Sequence, residues 1–139
     1  MRSKYFTMWE MTWSDNAYKY NIDNTPGPEE VEHLQELMLV LDDIREKWGG
    51  PIKITSGYRN PQVNTLAGGS KTSAHMRGYA ADMKPCNNQM KDFVSFIKEW
   101  AKDKNFDQII EERNSQGGHW IHLCLYNRTG KQRRELKIA

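Results

Sequence analysis

"FDQIIEERNSQGGHWIHLCLY", Phe106–Tyr126, decides how this chain is built. "FDQIIEE" and "HWIHLCLY" are short runs rich in β-branched and aromatic residues, and "RNSQGG" separates them. Two such runs with Gly117 and Gly118 in the connection predict a β-hairpin. In the second strand His122 stands between Ile121 and Leu123, which point to the opposite face.

Upstream, "PIKITSGYRN" alternates Ile52 and Ile54 with Lys53 and Thr55, and predicts a half-buried strand ending at Ser56-Gly57. "YAADM" predicts another, with Ala81 and Met83 on one face and Ala80 and Asp82 on the other. Two amphipathic helices flank these strands. The first spans Pro28–Trp48, with Val31, Leu34, Leu37, Met38, Leu41, Ile44 and Trp48 at three- and four-residue steps. Pro28 suits its first turn, Glu29 and Glu30 its positive end, and Gly49 and Gly50 stop it. The second, "NNQMKDFVSFIKEWAKDKN", turns Met90, Phe93, Val94, Ile97, Trp100 and Ala101 inward. "NPQVNTLAGGSKT" predicts a loop with one helical turn. Residues 1–27 form an aromatic segment with one short helix, and 127–139 a polar tail. The fold class is α+β, with helices on one face of a small, mostly antiparallel sheet. The 139 residues suit one domain, 1–139.

Composition excludes several functions. Net charge is +2 and the basic residues are spread along the chain, so no nucleic-acid partner is expected. The run Lys131, Arg133, Arg134 predicts a solvated tail or strand edge. No apolar stretch reaches the roughly 18 residues that span a bilayer, so no membrane partner is expected. "MRSKYFTMWEMTW" lacks the apolar core and cleavage site of a signal peptide. The expectation is synthesis in the cytoplasm, with any outward route supplied by something else. Cys86 and Cys124 do not make a disulfide framework and are expected to be reduced.

"SAHMRGYAAD", Ser73–Asp82, places a histidine and an aspartate in a small-residue setting. Gly78 can supply a positive φ, which lets His75 and Asp82 converge. With His122 they make three candidate metal ligands, the number that catalytic zinc commonly takes. Read from spacing alone, the alternative is a buried His–Asp pair and an unrelated strand histidine.

Taken with its neighbours, this stretch resembles the S-x-H-x-x-G-x-A-x-D signature of the zinc D-Ala-D-Ala carboxypeptidase family. That family includes phage cell-wall endopeptidases and shares the hedgehog/DD-peptidase fold. "ITSGYRNPQVN" is similar to its S-G-Y-R segment, "GGSKTSAH" to its approach to the first ligand, and "HWIHLCL" to its closing W-[IV]-H strand. "IDNTPGPEEVEHLQELMLVLDDIRE" resembles the helix before S-G-Y-R in phage-encoded members. The likeness covers roughly residues 6–136.

The resemblance implies a zinc-dependent peptidase acting on peptidoglycan stem peptides, as a carboxypeptidase or endopeptidase, with Zn2+ held by His75, Asp82 and His122. It implies a phage endolysin or tail-associated lysin, reaching the wall through a holin or within the virion, and a monomer is expected. Arg59 matches the family arginine that steadies the substrate carbonyl or carboxylate, and Ser73 the signature serine that positions the loop or touches substrate. Relatives often carry Glu or Asp three residues before the last ligand, and here that position is His119. The general base is therefore sought in Glu112, placed beside His122 by the hairpin, or in His119 itself, with Glu111 ranked below both. Cys124 shares the His122 face and is expected to be a packed, neutral thiol. The missing E-x-x-H keeps open a second reading, an inactive zinc-containing module that binds the wall or serves structure.

Overall fold

The computed structural model describes residues 2–138. Its helices are α1 (Met8–Thr12), α2 (Asp15–Lys19), α3 (Pro28–Trp48), α4 (Pro61–Leu66) and α5 (Met90–Trp100). Its strands are β1 (Ile52–Ser56), β2 (Ala80–Pro85), β3 (Gln108–Arg113), β4 (His119–Cys124) and β5 (Glu135–Lys137). A 3-10 turn, Ala74–Arg77, leads into β2. The sheet order is β1-β2-β4-β3-β5, antiparallel except where β5 runs parallel to β3. The fold is α+β, as the alternating strands and amphipathic helices require.

One face of the sheet carries the core. Ala81, Met83, Ile109, Ile121 and Leu123 meet Leu34, Leu37, Leu41 and Ile44 of α3 and Phe93, Ile97 and Trp100 of α5. Burial of these side chains, each contributing about 1.5–3 kcal/mol when fully removed from water, is the main cohesive term. Trp100 Nε1 donates to Asp43 Oδ2 at 2.9 Å and ties α5 to α3. α3 starts and stops where its sequence directs, whereas α5 is shorter than the stretch read as helical and passes into a 3-10 turn at Ala101–Asp103. Pro28 opens α3, the Glu30 carboxylate accepts from the Gly27 N–H, and Gly49 ends the helix at φ 80°.

Two regions hold more structure than the sequence pattern suggests. Residues 1–27 contain α1 and α2 rather than one short helix, capped by Thr7 and Ser14. Trp9 stacks on Trp13, which meets Tyr18, and these rings remain largely exposed. The segment read as a polar tail contributes edge strand β5. Three residues are too few to show alternation, and the anchoring contacts are long-range. Arg133 forms a two-pronged pair with buried Asp107, at 2.7 and 2.9 Å. Arg134 donates to the carbonyls of Ala101, Lys102 and Lys104. The basic run is thus an ordered strand edge, largely spent on internal bonds. Among the described residues no helix is long and apolar enough to cross a membrane.

Candidate active site

The sheet face opposite the core bears the chemistry. Asp82 of β2 pairs in register with His122 of β4, so both side chains project together. The 3-10 turn delivers His75 to the same place. Ser73 caps that turn by accepting from the His75 N–H at 3.2 Å, and Gly78 leaves it at φ 80°. A Cβ on Gly78 would also lie 2.7 Å from the Glu30 carbonyl, so α3 packs against bare backbone there.

One ligand atom from each of His75, Asp82 and His122 lies within 4.8 Å of the others. Asp82 Oδ1 is 2.9 Å from His122 Nδ1 and 3.3 Å from His75 Nε2. His75 Nδ1 donates to the Gly57 carbonyl at 2.8 Å, which turns Nε2 toward the cluster. Such a bond on the far ring nitrogen is how ligating histidines are oriented. The Arg59 guanidinium lies 3.5 Å from Asp82 Oδ2. Burial of Asp82 opposes its charge, but hydrogen bonding with His122 and then His75 prevails and holds the carboxyl well below the usual carboxylate range. A His–Asp–His set with His75 and Asp82 buried, His122 half-buried toward the cleft and an ionised carboxylate is the donor set that zinc takes, and the residues fit that ion.

The cluster opens into a cleft of about 710 Å³. Arg59, Ser73, Glu112 and Trp120 line it with the three candidate ligands. Arg59 Nε donates to Ser56 Oγ at 3.0 Å and Nη1 to Asn64 Oδ1 at 3.4 Å. Burial lowers the Arg59 pKa, against the Asp82 and Glu112 charges that raise it. In the hairpin, Ile110 pairs with His122 and Glu112 with Trp120. Glu112 therefore shares the His122 face two pairs further along the hairpin, and its Oε1 accepts from Trp120 Nε1 at 2.8 Å.

His119 is not brought together with the cluster. It lies three residues from His122 on one strand, an odd step that sends it to the other face. There its Nε2 is 2.7 Å from Glu111 Oε2, and neither residue lines the cleft. Cys124 shares the site face and is buried, and its thiol donates to the Tyr126 carbonyl at 3.2 Å. Burial, then the nearby Asp107 charge, push it up to about 11, so the thiol is neutral. Cys86 is exposed, and both cysteines are free.

The supporting roles of three residues escaped the sequence reading. Buried Asn64 holds Arg59 and donates to the Ser70 carbonyl at 2.8 Å. Buried Asn24 donates to the carbonyls of Thr12 and Tyr58 and accepts from the Asn60 N–H. Gly57 lies so close to α1 that a Cβ there would sit 2.2 Å from the Met11 carbonyl oxygen. That oxygen accepts from the Tyr58 N–H at 2.7 Å. We expect Gly57→Ala to destabilise the protein by roughly 2–3 kcal/mol and to weaken metal binding, because the carbonyl that orients His75 must move. Denaturant unfolding and zinc titration measure the two effects, and wild-type behaviour in both would contradict this clamp.

Helices on one face of a small sheet and a convergent His–Asp–His set on the other define the class of small α+β domains built around a metal-ligating centre. The chain belongs to the Peptidase M15 family, whose family model matches residues 4–123. Members of that family are zinc-dependent peptidases. Comparison with curated proteins gives no match.

Proposed function

We propose that the protein is a zinc-dependent peptidase that hydrolyses bonds in peptidoglycan stem peptides. The observation that carries this reading is the placement of Glu112 and Arg59 around the His75–Asp82–His122 cluster in one open cleft. Zinc held by those three residues would polarise the scissile carbonyl and lower the pKa of a water molecule.

The chain's own residues supply the rest. Glu112, steadied by Trp120 Nε1, accepts the proton of the attacking water and returns it to the leaving amine. Arg59 spends two N–H groups on Ser56 and Asn64, pairs by charge with Asp82, and keeps three of its five N–H groups for the substrate. Aimed at the carbonyl oxygen, these stabilise the negative charge that builds there during attack. Ser73 holds the turn that presents His75 and lines the cleft wall. His119, bound to Glu111 on the other face, takes no part in this scheme.

The site of action is the bacterial cell wall, in the role of a phage endolysin or virion-associated lysin that the likeness of the α3 segment to phage-encoded members implies. The inactive-module reading drew its support from the absent carboxylate at position 119, and Glu112 on the cleft wall weighs against it. Digestion of purified peptidoglycan, followed by mass spectrometry of the fragments, tests the proposal. We expect stem-peptide cleavage that a chelator abolishes and zinc restores. Free D-Ala alone identifies a carboxypeptidase, and larger peptides an endopeptidase. Zinc-loaded protein that releases nothing from several wall types would overturn the enzyme reading.

A further inference from the structure

The charges lining the cleft do not cancel evenly along its length. Its anions, Asp82, Asp107 and Glu112, are all engaged: Asp82 with the histidines and Arg59, Asp107 with Arg133, Glu112 with Trp120. Three of its arginines are likewise committed. Arg59 is held as described, and Arg133 pairs with Asp107 and, at 3.3 Å, with Glu135. Arg77 donates to the carbonyls of Tyr126 and Asn127 at 3.2–3.3 Å. Among the described residues the fourth, Arg128, makes no side-chain hydrogen bond or ion pair, and it lines the cleft.

Its position is fixed by the backbone. The loop after β4 closes on Asn127, whose Oδ1 accepts from the N–H groups of Thr129 and Lys131 and from the Thr129 hydroxyl. Asn127 N–H donates in turn to the Lys131 carbonyl. Arg77, two residues after His75 in the chain, fastens this loop to the turn that carries the ligand. Along β4, Trp120 and its partner Glu112 lie to one side of His122, and Cys124 lies to the other, roughly 7 Å away by strand rise. The chain then runs past Cys124 into the Arg128 loop. One flank of the centre thus holds the carboxylate base, and the other ends in an unpaired cation on a braced loop.

We propose that Arg128 is a specificity-determining residue that pairs with a free carboxylate of the peptide substrate, on the flank beyond Cys124. This rests on the peptidase reading above and deepens it by naming the charged group that the cleft selects. A guanidinium with all five donors free suits a carboxylate better than any neutral group, and its exposure limits the gain to about tenfold.

The test uses the zinc-loaded full chain as wild type, Arg128→Ala and Arg128→Glu. The probes are synthetic stem peptides of one sequence in which each carboxylate in turn is free or amidated. Calorimetry reads Kd, and kcat/KM is measured on those that are cut. We expect one particular amidation to weaken wild-type binding about tenfold, to leave Arg128→Ala binding nearly unaltered, and to improve binding to Arg128→Glu. Wild-type indifference to every amidation, or an undiminished penalty in Arg128→Ala, would overturn the assignment. Peptides that bind but are never cut would sink the peptidase reading instead, while their Kd ratios still decide the role of Arg128.

Discussion

Glu112→Gln should retain zinc and lose hydrolysis, by about 10²–10⁴-fold in kcat, the usual worth of a positioned general base. Glutamine keeps the length of the side chain, and its amide oxygen can still accept from Trp120 Nε1, the bond that Glu112 Oε1 makes at 2.8 Å. What it loses is the ability to take a proton. Three candidate ligands lie elsewhere, on β2, β4 and the 3-10 turn, so metal content should match wild type. His119→Ala is the control. His119 faces Glu111 across the far side of the sheet, outside the cleft, and its loss should leave kcat within about threefold of wild type, since it touches no reacting group. The reverse pattern, a quiet Glu112→Gln and a crippled His119→Ala, would show that the base assignment is wrong. Hydrolysis is read on peptidoglycan fragments, and bound zinc by elemental analysis.

That contrast turns on a feature the sequence contains only indirectly. Strand parity alone separates His119 from His122, because side chains three apart on one strand cannot share a face. The placement of Glu112 needs more, since it depends on hairpin register. Its carboxylate faces the site because Arg113 pairs with His119, which sets Glu112 opposite Trp120 and not opposite His122. The five residues between the strands do not dictate that pairing. The main elements were legible because each repeats its pattern. Both long helices carry apolar residues through several turns, and Ala81–Met83 and Ile121–Leu123 alternate with Asp82 and His122. β5 was not, since a three-residue parallel edge is held by Arg133 and Arg134 reaching partners some 26–33 residues away. Asn24 and Asn64 were missed for the same reason. A buried asparagine that satisfies distant backbone groups has no local periodicity to betray it, and only the burial of the bonds it makes marks it as structural.

The metal assignment makes the sharpest demand of Asp82. It is the one anion among the three candidate ligands, it is buried, and it is bonded on both oxygens: Oδ1 with His122 and His75, Oδ2 with Arg59. Asp82→Asn preserves its shape and removes its charge. An amide nitrogen turned toward Arg59 would set donor against donor, and turned toward the histidines it would offer a proton where a ligand oxygen is needed. We therefore expect zinc affinity to fall at least about 100-fold, beyond what altering a group behind the ligands does, and hydrolysis to fall with occupancy. Thermal unfolding separates this from a folding defect. Zinc at about 100 times its Kd should stabilise wild type by roughly 2.7 kcal/mol, and the same concentration should add at most a few tenths to Asp82→Asn. The metal-free variant also loses the bonds of Asp82 with His75, His122 and Arg59, so the readout is the zinc-induced gain within each protein and not the absolute stability of either. A variant that binds zinc as wild type does would remove Asp82 from the ligand set. The centre would then have to be built from the two histidines and a donor outside the cluster.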